Sequence, residues 1–251
     1  MITSKSNELV KYIKGLQLKK NRDESGEYVV EGLKMVREAV EEKHEVVTII
    51  LCEEIFKEQF NMPKNCKVES VSQNVFEYLS DTESPQGIMA IVKKKDIVNL
   101  ENADVIFALD HVQDPGNLGT IMRTLDATGI NTLLLSKGCA DEYNPKVVRS
   151  TMGAIFRVNI QDHVDLASKL KELQKKGYLV IVTALDADSG LFEYSFPEKC
   201  VIVIGNESKG VSKEIQELAN IRIKIPMIGK TESLNAGVAA SLMAYEVLRK
   251  K

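Results

Sequence analysis

Short β-branched runs alternate with segments of helical spacing in two successive series, and this alternation constrains the fold more than any other feature of the chain. In the first series, residues 28–30, 46–51, 67–71 and 88–92 read as strands. A helical stripe lies between them over 33–42, with apolar residues at 33, 36, 39 and 40, and a short helix fits 73–79. In the second series, strands are expected at 105–109, 132–135, 179–183, 201–204 and 221–225, with helices at 118–128, 166–176 and 236–249. Such alternation favours parallel pairing with helices packed on the sheet, so the fold class is α/β. Between the two series, 93–103 opens with Lys93-Lys94-Lys95 and continues with polar residues, which reads as a connection. The expected boundaries are a basic N-terminal extension over 1–26, a first domain over 27–95, a linker over 96–103 and a second domain over 104–251. At 251 residues the chain has room for two modest cores.

Several classes are disfavoured by composition. No apolar run approaches the ~18 residues of a membrane-spanning helix. Residues 1–7 lack the apolar stretch of a signal peptide, so a cytoplasmic protein is expected. Cys52, Cys66, Cys139 and Cys200 are far apart and read as reduced, mostly buried thiols. His44, His111 and His163 are equally scattered, and no metal centre is expected. The net charge of −3 does not advertise a nucleic-acid binder, yet it is unevenly spread. Residues 11–22 carry Lys11, Lys14, Lys19, Lys20 and Arg22 without an acid, and 143–157 hold Lys146, Arg149 and Arg157 without one. Local positive patches are what phosphate contact requires. Lys19, Lys20, Arg22 and Arg149 are the candidates, and a solvated helix face is the alternative.

Three polar motifs enter or leave apolar segments in the second half. The first is Asp-Pro-Gly-Asn-Leu-Gly-Thr-Ile-Met-Arg-Thr over 114–124. Pro115-Gly116-Asn117 reads as a turn, with Asn117 suited to cap the following helix. Leu118, Ile121, Met122 and Leu125 form an apolar stripe that leaves Arg123 to one side, either solvated or reaching a cleft. The second is Ile-Gly-Asn-Glu-Ser-Lys-Gly-Val-Ser over 204–212, which puts Asn206-Glu207 at the end of an apolar strand, where open α/β sheets bind ligands. The third joins Ile225-Pro226 to Ser233-Leu234-Asn235 before the last helix, and Ser233 or Asn235 suits its cap. Gly-x-Gly-x-x-Gly is absent, which argues against an ordinary dinucleotide fold.

In this order the three motifs are similar to the signature of the SpoU (TrmH) family of the SPOUT superfamily. Tyr28-Val-Val-Glu-Gly32 and Ser84-Pro-Gln-Gly-Ile88 resemble segments of the substrate-binding domain that precedes the catalytic domain in that family. Where many relatives have glycine after the glutamate, this chain has Ser208. The resemblance implies a parallel-sheet domain whose second and third motif loops are threaded into a trefoil knot, a topology no periodicity argument would suggest. It implies methyl transfer from S-adenosylmethionine (AdoMet), without metal, to a ribose 2′-hydroxyl of structured RNA, with ribosomal RNA first and transfer RNA as the alternative. A homodimer is implied as well, and 236–249 carries small and apolar residues over more than one face.

The resemblance assigns catalysis to Asn117, Arg123, Glu207, Ser233 and Asn235, and cofactor contact to Thr183, Gly205, Asn206, Ile225, Pro226 and Leu234. Arginine stays protonated at ordinary pH, so Arg123 is better suited to clamp the phosphate beside the ribose than to act as a base. Two other classes remain. A non-catalytic RNA-binding protein on the same scaffold would have no reason to carry the five catalytic residue types together. A small-molecule α/β enzyme would need a nucleophile–base pair or phosphate loop, and none stands in the sequence.

Overall fold

The structure, a computed structural model, describes residues 1–63, 66–95, 103–187 and 189–249. The chain forms two compact units, one of Met1–Asp96 with Asp141–Phe156 and the other of Ile97–Ala140 with Arg157–Lys251. The linker expected over 96–103 lies outside the described residues except for Ala103.

The first unit opens with α1 (Glu8–Gly15) and α2 (Lys19–Ser25), followed by β1 (Glu27–Glu31), α3 (Leu33–Glu41), β2 (Val46–Leu51), β3 (Lys67–Ser70), α4 (Gln73–Leu79) and β4 (Ile88–Lys93). Its four-stranded sheet runs β1-β4-β2-β3. The parallel pairing expected here holds only for β2 and β3. The apolar strand β4 inserts between β1 and β2 and runs antiparallel to both. Residues 8–15 are part of this fold: Val10 and Ile13 of α1 join Val75, Phe76 and Leu79 of α4 and Ile91 of β4 in one buried cluster. The segment Asp141–Phe156 also belongs here, although it follows the first strands of the other unit in sequence.

The second unit begins with β5 (Val105–Asp110), α5 (Pro115–Thr128) and β6 (Thr132–Ser136). The chain then supplies α6 (Pro145–Thr151) to the first unit before β7 (Asn159–Val164), α7 (Leu166–Lys175), β8 (Leu179–Thr183), β9 (Ser189–Gly190), β10 (Cys200–Gly205), α8 (Lys213–Glu217), β11 (Ile221–Lys224) and α9 (Ala236–Arg249). Among the described residues the sheet order is β7-β6-β5-β10-β8-β11-β9, and all six pairings are parallel. Strands covered on both faces need continuous apolar runs. The central strands β5 and β10 are accordingly buried at every position.

Helix α5 starts two residues before the expected turn ends. Asp114 is its N-cap, accepting from Asn117 N at 2.8 Å, and Pro115 occupies the first turn. Proline suits that place because its missing N–H would have no helical acceptor there. Asn117 is therefore not the cap, and its side chain is free for another use. The stripe of Leu118, Ile121, Met122 and Leu125 is fully buried. Helix α9 packs on α5. Its small residues permit close approach: a methyl added at Gly237 would lie 3.2 Å from Thr120 Cγ2.

Candidate active site

The three motifs meet at the C-terminal ends of the central strands through a hydrogen-bonded chain. Asn117 is buried and donates from Nδ2 to Glu207 Oε1 at 2.7 Å. Its Oδ1 accepts from Asn235 Nδ2, also at 2.7 Å. Asn235 Oδ1 accepts in turn from Gly237 N at 2.9 Å and Val238 N at 3.3 Å, capping α9. The order of donors is forced from the α9 end: backbone N–H groups only donate, so Asn235 Oδ1 accepts, its Nδ2 donates to Asn117 Oδ1, and Asn117 Nδ2 is left to donate to Glu207. Glu207, Asn117 and Asn235 thus tie one residue of each motif into a single arrangement.

The turn after β10 is built to hold Glu207. Asn206 Oδ1 accepts from Ser208 N and Lys209 N at 3.0 and 3.1 Å, while Asn206 and Gly210 exchange both backbone hydrogen bonds. Asn206 Nδ2 donates to His111 O at 2.9 Å. Its side chain is thus engaged in shaping the loop. Gly205 is required by this fold-back, since a Cβ there would lie 2.2 Å from Gly210 C and from Val211 N.

Beside the turn lies a cavity of about 420 Å³. Of the residues expected at the cofactor, Thr183, Gly205, Asn206, Ile225 and Leu234 line it, and Pro226 does not. Of those expected in catalysis, Glu207 and Ser233 line it. Three carboxylates (Asp186, Glu207, Glu232) and one ammonium (Lys209) border the space. Ser233 is exposed. Arg123 is exposed on α5 and has no hydrogen-bond or ionic partner among the described residues. It lies about 9 Å along the helix from Asn117 and about 120° around it, so it does not join the chain of amides.

Sequence reasoning missed Asp110, a buried carboxylate at the end of β5. Its Oδ2 accepts from Ser212 N at 2.7 Å and its Oδ1 lies 2.7 Å from His111 Nδ1. His111 adopts a left-handed φ of 59° and donates its N–H to Ser136 Oγ at 3.0 Å. The available signal was a lone acid closing an otherwise apolar strand, four residues ahead of Asp114 at the start of the first motif.

The candidate RNA contacts all fall in the first unit, and one needs correction. Arg22 is 1% exposed. It donates to Leu16 O and Gln17 O at 2.7 and 2.8 Å and pairs with Asp141. It is a structural cation, not a surface one, because those carbonyls and that carboxylate enclose it. Lys19 faces Asp23 at 3.5 Å and Lys20 faces Glu24 at 3.7 Å, both one helical turn on. Arg149 donates to Asp81 O at 3.0 Å.

Among the described residues, no group of three or more His, Cys, Asp or Glu side chains is placed to hold a metal ion. No helix among them is long and apolar enough to cross a membrane.

A parallel sheet with its ligand cavity and converging loops at the C-terminal strand ends defines an α/β enzyme built around a small-molecule cofactor site. The chain belongs to the SpoU rRNA methylase family, whose model matches residues 104–245, and residues 7–90 match an MRM3-like substrate binding domain. It is 32% identical over 246 residues to the 23S rRNA (guanosine(2553)-2′-O)-methyltransferase RlmP of Bacillus subtilis, covering 98% of each chain. Among solved structures, an AdoMet-bound rRNA methyltransferase from Sinorhizobium meliloti is similar with a TM-score of 0.87 and 28% identity, covering 99% of this chain and 97% of that one. The SpoU methyltransferase AviRb from Streptomyces viridochromogenes, in complex with AdoMet, is similar with a TM-score of 0.83 and 25% identity, covering 97% and 98%.

Proposed function

We propose that this protein transfers the methyl group of AdoMet to a ribose 2′-hydroxyl of ribosomal RNA, in the cytoplasm and without a metal. The observation that carries this reading is the Glu207–Asn117–Asn235 chain beside the cavity. The cavity suits the cofactor in two respects. Its volume of about 420 Å³ falls in the range of small-molecule sites. Asp186 is paired with Arg222, which leaves Glu207 and Glu232 against Lys209, a small negative excess that suits a cationic ligand. Thr183, Gly205, Ile225 and Leu234 would hold the adenosine part, and the bound sulfonium supplies an already activated methyl group.

The remaining work is positioning, which can supply up to ~7–11 kcal/mol of a barrier in favourable cases. Glu207 and Asn117 orient the nucleotide, with Ser233 at the rim and Asn235 fixing Asn117 from behind. Arg123 clamps the phosphate beside the target ribose, and the ribose proton passes to that phosphate or to water. Lys19, Lys20 and Arg149 are retained as phosphate contacts.

The reading includes a homodimer. Helix α9 buries Ala240, Met243, Ala244 and Val247, yet leaves Val238, Tyr245 and Leu248 exposed on its other side. A second subunit would cover that face and complete the site near the unpartnered Arg123. The trefoil knot implied by the family belongs to the same reading.

Methyl transfer from labelled AdoMet to total bacterial RNA, with chelator present, tests the proposal. Label in ribosomal RNA at a ribose 2′-oxygen is expected. Label confined to transfer RNA would favour the alternative substrate, and no label would leave an RNA-binding protein without the activity. Light scattering checks the dimer against the 28.0 kDa monomer.

A further inference from the structure

We propose that Lys5, Lys14 and Tyr78 form a phosphate-binding site for the RNA substrate on the first unit, made of residues other than Lys19, Lys20 and Arg149. The inference rests on the RNA-methyltransferase reading and adds where the substrate backbone is gripped.

The lysines are held in place by the fold. Near the chain start, Ile2 bridges to Val71, with Ile2 N donating to Ser70 O at 2.7 Å and Ser72 N to Ile2 O at 2.9 Å. Asn7 then caps α1, its Oδ1 accepting from Leu9 N at 2.9 Å. Lys5 sits in the short turn between these two anchors. Packing of α1 on α4 through Val10, Ile13, Val75, Phe76 and Leu79 fixes the rotation of both helices. Their outer edges bring Lys14 to Tyr78, where Lys14 Nζ donates to Tyr78 O at 2.9 Å.

Both ammonium groups lie over one ring. Lys5 Nζ and Lys14 Nζ are each 5.0 Å from the Tyr78 centroid. A tyrosine ring attracts cations through its quadrupole and so pre-orders two flexible side chains. Neither lysine has a carboxylate partner among the described residues, whereas Lys19, Lys20, Lys67, Lys93 and Lys94 all do. Of the acids on the same helices, Glu77 accepts from Gln73 Nε2 at 2.7 Å, and neither it nor Glu8 in the first turn of α1 pairs with Lys5 or Lys14. Two cations on one ring without a carboxylate partner leave a local excess of positive charge, which a bound anion offsets. Tyr78 is 39% exposed, so the site is open to a macromolecular ligand. A phosphodiester backbone fits, because it brings fixed anions at close spacing and releases its counterions when lysines meet it.

The experiment measures RNA binding by the full-length protein against salt, alongside methyl transfer. Lys5→Ala combined with Lys14→Ala should weaken RNA binding and lower the log–log salt slope by about 1–2, near 0.7–0.9 for each lost phosphate contact. AdoMet affinity and kcat at saturating RNA should stay unchanged, and Lys14→Arg should restore most of the binding. Lys67→Ala, which removes a lysine already paired with Glu69, serves as the control and should leave the slope alone. Matching thermal unfolding of the variants excludes misfolding. An unchanged slope in the double variant overturns the site while leaving the methyltransferase reading intact. Loss of RNA binding in a protein that methylates no RNA would uphold the site and overturn that reading.

Discussion

Asn117 donates to Glu207 at 2.7 Å across 90 residues of sequence. The bond exists because Asp114 has taken over the capping of α5 and released the asparagine amide. Asn117→Ala removes the partner of Glu207 and of Asn235 together. Glu207 is half-buried and Asn235 is exposed, so water can replace the lost bonds, and urea unfolding should show a loss of about 0.5–1.5 kcal/mol, the net worth of a typical hydrogen bond. Both Asn117→Ala and Asn117→Asp should lower turnover, the second because it sets a second carboxylate against Glu207. Full activity in either variant would refute the positioning role of the chain.

Arg123 is expected to act on RNA and not on the cofactor. Arg123→Ala should leave AdoMet affinity near normal in calorimetry while lowering kcat strongly, the pattern of an interaction used mainly in the transition state. Arg123→Lys is the sharper probe, because lysine keeps the charge and loses the planar fork that grips phosphate oxygens. Full turnover with lysine would show that a bare charge is enough.

Gly205→Ala should collapse the cofactor site. The added methyl would lie 2.2 Å from Gly210 C and Val211 N, so the turn carrying Glu207 must move. Weaker AdoMet binding and a lower Tm are expected together. Normal affinity in titration calorimetry would mean that the loop tolerates displacement.

Arg22 and Asp141 should behave as a structural pair. Removing one member of a buried ion pair costs about 3–5 kcal/mol, so Arg22→Ala should lose stability on that scale in denaturant unfolding. Arg22→Met together with Asp141→Asn should lose less, because no charge is stranded and the asparagine can still accept from Tyr143 N, now at 3.0 Å from Asp141 Oδ1. A purely additive double variant would sink this account.

His44 predicts a pH effect on stability. Burial holds its imidazole below the ordinary value of 6.5, although Phe156 O accepts from Nε2 at 3.0 Å. With the folded pKa depressed, the unfolded chain binds more protons in the window between the folded and unfolded values. Stability should therefore fall as pH drops through 6.5, and level off once the folded-state imidazole is protonated. His44→Gln, which can still donate to that carbonyl, should show a smaller loss of Tm between about pH 7.5 and 5.5.

What could be read in the sequence follows from which forces leave a local trace. The β10 run Val201-Ile-Val-Ile announces a strand buried on both faces, and the α5 stripe announces its packed side. Strand β7 escaped because Asn159-Ile-Gln-Asp-His-Val is an edge strand, half-exposed and without alternation. Helix α2, Lys-Lys-Asn-Arg-Asp-Glu-Ser, has no apolar residue at all, and its buried member is Arg22. In 10–22 and 143–157 positive charge interrupts and masks the apolar spacing of Val10, Ile13 and Leu16 and again of Val147 and Val148, all of them buried. At the site, residue types were legible but not their division of labour. Asp114 and Asn117 can each cap a helix, and only the fold decides which side chain is left to reach Glu207 and Asn235.

The placement of Asp141–Phe156 with the first unit means that chain order and folding units are not colinear. A fragment beginning at residue 104 would carry Val147, Val148, Ala154, Ile155 and Phe156, all buried in the whole protein, without the unit that buries them. Exchange of the first unit between relatives, by recombination or by design, therefore requires two separate stretches of gene to travel together.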